Sequence, residues 1–175
     1  MAFRVSADPI AAAGGGYEPQ RKNNFTLEIT PPANIQFDTE ILQLTLAQMS
    51  IPTESNDRIT IDFGNEKRFV AGKTTYSEET IVFNDYVDAG VYQNLVNWRK
   101  KVYNPEDGKI GRARDYKATA DLFMFAPDGS TFRRWRVLGI FPSELKPGEG
   151  NMAANEQNKI EVKFSVDKMI YMGAG

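Results

Sequence analysis

At 175 residues, 41% of them hydrophobic and 25% charged, with a formal net charge of -2, the chain fits one globular domain and has no global attraction to nucleic acid. It contains neither Cys nor His, which excludes disulfides and thiolate metal sites and removes the commonest general base and metal ligand. No run of about 18 apolar residues is present to span a bilayer, and the first residues lack the pattern of a secretory signal, so a cytoplasm-like compartment is expected.

Residues 1–23 include Ala11-Ala12-Ala13 and Gly14-Gly15-Gly16, a composition that buries little and costs much backbone entropy to order. They read as an N-terminal arm, mobile until something binds it, or as an ordinary frayed terminus. The first strand is expected over 25–29, with Phe25, Leu27 and Ile29 on one face, stopped by Pro31-Pro32. Over 41–48, Leu42, Leu44 and Leu46 alternate with Gln43, Thr45 and Ala47, which predicts a half-buried strand, with a helix as the alternative.

Between 50 and 75 a short alternation of Ile59, Ile61 and Phe63 against Arg58, Thr60 and Asp62 precedes the turn-like Gly64-Asn65. This predicts a protruding hairpin whose apolar side needs another surface to cover it. A further strand is expected over 79–84. Val91, Leu95, Trp98 and Val102 then fall on one helical face, with Asp88 placed to cap it, Arg99, Lys100 and Lys101 at its negative end, and Asn104-Pro105 blocking continuation.

After a basic, Gly-punctuated loop to Lys117, residues 118–126 read as a strand with Leu122 and Met124 on one face and Phe123 and Phe125 on the other. Pro127-Asp128-Gly129 supplies a turn into a partner strand over 131–140, and Pro142, Pro147, Gly148 and Gly150 are expected to form the next loop. A last strand over 159–169 places Ile160, Val162, Phe164 and Val166 inward and Glu161, Lys163, Ser165 and Asp167 outward. With about seven strands and one helix, and links too short for crossovers, the fold class is mainly β: an antiparallel β-sandwich or open barrel with one flanking α-helix. Its long amphipathic strand edges invite pairing with further copies, and closing copies into a ring satisfies them.

The order of elements resembles the tail tube proteins of contractile-tailed bacteriophages, which share their fold with the tube protein of type VI secretion systems. The likeness spans most of the chain. It is carried by the strand ending in Asn84-Asp85, the helix with Leu95 and Trp98-Arg99-Lys100-Lys101, and the hairpin from Leu122 to Gly129. Trp135-Arg136-Val137, Phe141-Pro142-Ser143-Glu144-Leu145 and the strand from Ile160 to Val166 continue it.

The resemblance implies hexameric rings with a continuous inner β-barrel, stacked into a hollow tube that conducts viral DNA into the host. It also implies that the arm before Phe25 and the 50–75 hairpin touch the neighbouring ring, and that the helix packs outside the barrel wall. Implied partners are further copies of the chain, a tail sheath protein, a baseplate tube initiator and a tape measure protein, within a virion tail assembled in the host cytoplasm. The alternatives are a secretion-type tube carrying proteins, a baseplate-proximal tube initiator, and a monomeric ligand-binding β-sandwich. The Ala/Gly-rich arm is longer than in shorter members of the family.

No catalytic, cofactor or metal site is assigned. Gly14-Gly15-Gly16 lacks the Gly-Lys-Ser/Thr that a phosphate loop requires. Neighbouring acids such as Glu78-Glu79 and Glu106-Asp107 do not converge as a glycosidase pair does, since successive strand residues face opposite ways. The basic set Arg99, Lys100, Lys101, Lys109, Arg112, Arg114 and Lys117 is interrupted by acids and reads as solvated or subunit-bridging charge rather than a nucleic-acid patch. Arg134 and Arg136 share a partly apolar strand face and call for a carboxylate across a strand or a subunit boundary; with Arg58 they are the candidate intersubunit residues. Trp98 and Trp135 read as core anchors. Polar residues opposite apolar strand faces, Thr26, Glu28, Gln43, Thr45, Asp62, Glu161 and Ser165, are the candidates to line a channel, because a DNA conduit should repel phosphate rather than hold it.

Overall fold

The computed structural model describes residues 20–35, 38–88, 90–150, 152–153 and 155–173. The expected arm lies mostly outside them. Its described end is tied down where Gln20 Nε2 donates to the Phe125 carbonyl at 2.9 Å.

The chain opens with β1 (Phe25–Thr30), as its alternation requires, with Leu27 and Ile29 buried. The next segment departs from the strand expectation: Thr39–Thr45 is a helix, α1, and only Leu46–Met49 is extended, as β2. Asp38 decides this. Its Oδ1 accepts from the Glu40 and Ile41 amides at 3.1 and 3.2 Å, satisfying two donors that a helix start leaves open. Leu42 and Thr45 then face inward while Leu44 is 76% exposed, a helical rather than a strand pattern.

β3 (Glu54–Phe63) and β4 (Glu66–Tyr76) form the expected projecting hairpin around Gly64-Asn65, and β5 (Glu79–Asn84) returns into the body. The amphipathic helix is α2 (Val91–Val102), burying Val91, Leu95 and Trp98. Asp88 does not cap it. Gly90 holds the cap position in the left-handed region, at φ 62°, with no side-chain bond to the free amides.

The basic loop contains a small ladder of β6 (Tyr103–Asn104) with β7 (Lys109–Ile110), then a single helical turn, α3 (Ala113–Tyr116). β8 (Ala118–Phe125) follows as expected. β9 (Thr131–Lys146) runs through Pro142, which was expected to begin a loop, and ends only before Pro147. The last strand, expected to be continuous, is broken at Val166-Asp167 into β10 (Lys159–Ser165) and β11 (Lys168–Gly173).

All pairings are antiparallel and build two layers that share β9. Residues 131–140 of β9 pair with β8 and β11, and β8 pairs with β1; residues 141–146 of β9 pair with β10, followed by β5 and β2. The break between β10 and β11 lets the chain change layer at the same level as β9 does. Among the described residues the path ends at β1 and β2 without joining, so there is no closed barrel.

Between the layers lie Leu27, Ile29, Ile81, Phe83, Leu122, Val137, Ile160, Val162 and Phe164, closed off by Val91, Leu95 and Trp98 of α2. The Trp98 ring centroid is 5.5 Å from that of Phe164, and its Nε1 donates to the Tyr116 carbonyl at 2.7 Å, so the core anchor also ties down α3. Trp135 is only partly buried and leans on Tyr171.

Candidate functional site

Among the described residues no three acidic side chains converge as a metal site would require. The molecule offers two outward layer faces, the hairpin, and the open borders.

On the first layer, residues alternating with the core form cross-strand rows: Thr26, Phe123 and Arg134 in one, Glu28, Asp121, Arg136 and Ile170 in the next. Asp121 is clamped from β9. Arg136 donates through Nε and Nη2 at 2.9 and 3.1 Å, and Arg134 through Nη2 at 3.2 Å. The hydrogen bond from Arg136 is the main reason the Asp121 carboxyl sits below the usual carboxylate range, with burial opposing it. The acid awaited by Arg134 and Arg136 is thus interstrand, within the chain. Arg134 Nε is buried with no hydrogen-bond partner, and its guanidinium lies 5.1 Å from the Phe123 ring centroid.

The second layer presents a different surface. Lys163 donates to Glu144 at 2.6 Å and Lys146 to Glu161 at 3.3 Å, and the rows continue to Thr80 and Val82 of β5. The bond from Lys163 holds the Glu144 carboxyl low, and the same bond raises the Lys163 ammonium. Acids and bases alternate along this face and neutralise one another.

The channel-lining candidates therefore separate. Thr26 and Glu28 point away from the core on the first layer, Glu161 and Ser165 on the second, and Asp62 sits on the exposed hairpin. Gln43 and Thr45 were chosen by a strand alternation that does not exist there. Both belong to α1, and Thr45 is buried with its hydroxyl donating to the Ile41 carbonyl at 2.7 Å. Arg58 stays within its own hairpin, its guanidinium 4.1 Å from the Phe69 ring centroid. Of the basic set, Lys100, Lys109, Arg114 and Lys117 are paired with Glu106, Asp107, Asp115 and Asp167 of the same chain.

The register of the hairpin puts Ile59 beside Val70, Ile61 beside Arg68, and Phe63 beside Glu66 on one face. Ile59, Ile61, Phe63 and Val70 are each about half exposed, between 46% and 61%. At about 3.3 Å per residue the arm extends roughly 30 Å, and a two-stranded arm gains stability when another surface covers its apolar face. Between the unpaired borders of β1 and β2 lies a groove whose walls include Phe25, Leu46, Met49, Ile51 and Met124.

Sequence reasoning missed one buried acid. Glu79 is 5% exposed at the start of β5 and binds the hydroxyls of Ser50 and Ser77. The signal was its position, a carboxylate at an inward strand site directly beyond a serine-bearing turn.

No family profile matches the sequence, and no curated protein does. Solved structures do. A chain of the anti-feeding prophage tube terminating cap superposes with a TM-score of 0.70 at 15% identity, over 98% of this chain and 100% of that one. A chain of the PVC sheath-tube complex, an extracellular contractile injection system in its extended state, gives 0.69 at 14% identity, over 96% and 100%. A chain of the SPP1 tail tube gives 0.57 at 9% identity, over 89% and 80%. At these identities the likeness is one of fold, and that fold, two antiparallel layers sharing a long strand beside a flanking helix, is the one found in tail tube proteins.

Proposed function

We propose that this chain is a structural, non-enzymatic subunit of a tail-type tube, in which hexameric rings join layer to layer and stack into a hollow conduit. The observation that carries this reading is the set of unpaired borders, at β1 and β11 of the first layer and at β2 of the second, in a fold otherwise shared with tube and cap chains. Strand direction alternates throughout each layer, so the next copy's first strand can follow the last and keep the sheet antiparallel. The hairpin, with its uncovered apolar face, suits contact with the neighbouring ring.

The second layer is the better channel wall. Its outward face, with Glu161, Ser165 and Thr80, is polar and its charges cancel, so a moving polymer finds no repeated cation to hold it. The first layer, with Thr26, Glu28 and the half-buried arginines beside Phe123 and Ile170, then turns outward, toward an enclosing sheath. Baseplate initiator and tape measure proteins complete the set of partners, in a tail assembled in the host cytoplasm.

A second reading, an injection tube carrying protein rather than DNA, gains from the same wall: paired lysines and glutamates do not supply the net repulsion of phosphate that a DNA conduit calls for. Electron microscopy of the purified protein, alone and with baseplate nucleators, tests the tube. Hollow stacked rings are expected, and compact monomers under every condition would overturn it. In assembled tubes Thr80→Cys should resist a bulky maleimide that labels Thr119→Cys, and the reverse pattern would exchange the two walls.

A further inference from the structure

The hairpin leaves the body through a narrow neck, residues 50–53 on one side and 77–78 on the other. Every residue of β3 is exposed and β4 is nearly so; at the foot of β4, Tyr76 packs against the core and donates to the Met169 carbonyl at 3.5 Å, and farther out the arm lies exposed. Glu79 lies at the base of this neck, opposite Phe164, and borders a void of about 20 Å³ shared with Leu122, Ile140 and Val166.

Burying a carboxylate in such surroundings costs free energy unless its oxygens are bonded. Here both are. Oε1 accepts the Ser77 hydroxyl at 2.8 Å, and Oε2 accepts the Ser50 hydroxyl. Ser77 Oγ in turn accepts the Thr53 amide at 2.9 Å, and the Ser77 amide donates to the Thr53 carbonyl at 3.0 Å. Ser50 ends the β2 side and Ser77 ends the β4 side, so one acid ties together both strands where they depart.

We infer that Glu79 is a positioning residue: through Ser50 and Ser77 it fixes the direction in which the hairpin projects from the body. An apolar residue at this site would fill space without choosing an angle, whereas directional bonds to two strands do choose one. A fixed arm reaches its partner without first losing rotational freedom. This use of the arm rests on the tube reading; the alignment itself does not.

The absence of cysteine makes the test direct. Spin labels on Lys67→Cys in the hairpin and Lys159→Cys in the body report their separation in the monomer. The native neck should give a narrow distribution. Glu79→Ala should widen it about twofold without moving the distribution between two body labels, as expected of a local opening. Glu79→Gln, which keeps one acceptor, should restore most of the narrowness. Ser77→Ala provides a gentler cut of the same link where Glu79→Ala fails to fold. Equal widths in native and cut necks would overturn the inference, as would equal broadening between body labels. A narrow, Glu79-dependent distribution in a protein that never forms tubes would retain the inference and remove the tube.

Discussion

The Asp167 carboxylate fills the space that a Cβ on Gly139 would occupy. Gly139 has φ 69°, in the left-handed region, and the Asp167 amide donates to the neighbouring Leu138 carbonyl at 3.1 Å. Here β9 leaves one layer for the other beside the break between β10 and β11. Lys117 secures the corner with a 2.5 Å bond to Asp167.

Gly139→Ala should therefore lower stability by about 2 kcal/mol, combining backbone strain with a displaced carboxylate. Adding Asp167→Ala should recover most of the steric part, since only the Asp167 Cβ at 2.9 Å remains close, and leave the strain. Urea unfolding midpoints of the two single variants and the double variant measure the split; fully additive losses would show that the residues do not share this space.

Asp121 gives the acid limb of stability a known sign. Its folded pKa lies below the ordinary value, chiefly because of Arg136, so its contribution is present above about pH 4 and fades as pH falls through the lower folded pKa. Asp121→Asn should be clearly less stable than the native chain at neutral pH, with the gap closing in acid as pH falls through the lowered folded pKa. Denaturant titrations across this range check it; a gap that grows in acid would contradict the assignment.

Trp98 is fully buried and ties α2 to α3 as well as to β10. Trp98→Ala should cost about 3–5 kcal/mol, and Trp98→Phe less, with the loss including the bond to the Tyr116 carbonyl. Calorimetric melting of both variants gives the comparison.

Ile61→Asp lies on the exposed hairpin face and should leave monomer stability within about 0.5 kcal/mol while preventing stacking. Normal tubes from this variant, seen by electron microscopy, would remove the apolar hairpin face from the assembly.

Where a period was strong, the sequence was readable: β1, the hairpin, β5, α2 and β8 lie where their periods put them. Each failure has its own physical cause. Leu42, Leu44 and Leu46 mimic a strand, but the cap from Asp38 starts a helix that the hydrophobic spacing alone does not reveal. Asp88 looked like a cap, yet Gly90 in the left-handed region holds the cap position, two residues beyond it. Pro142 reads as a breaker, but β9 carries it through while pairing with β10. The continuous inward pattern from Ile160 to Val166 hides the bend at Asp167, because both sides of that bend bury the same kind of residue.

For the surfaces, polarity opposite a buried strand face was legible, but the choice between two such faces was not. Glu161 and Glu28 obey the same alternation and look in opposite directions. Only the partners across strands, lysines for one layer and a clamped aspartate for the other, distinguish them.

A single backbone, β9, passes through both layers. A pull along one layer therefore reaches the other through covalent bonds, without relying on the grip of methyl groups across the core. Peeling the layers apart requires unzipping ladders on either side of Gly139 together, so under load the molecule should yield as one unit instead of splitting into leaves.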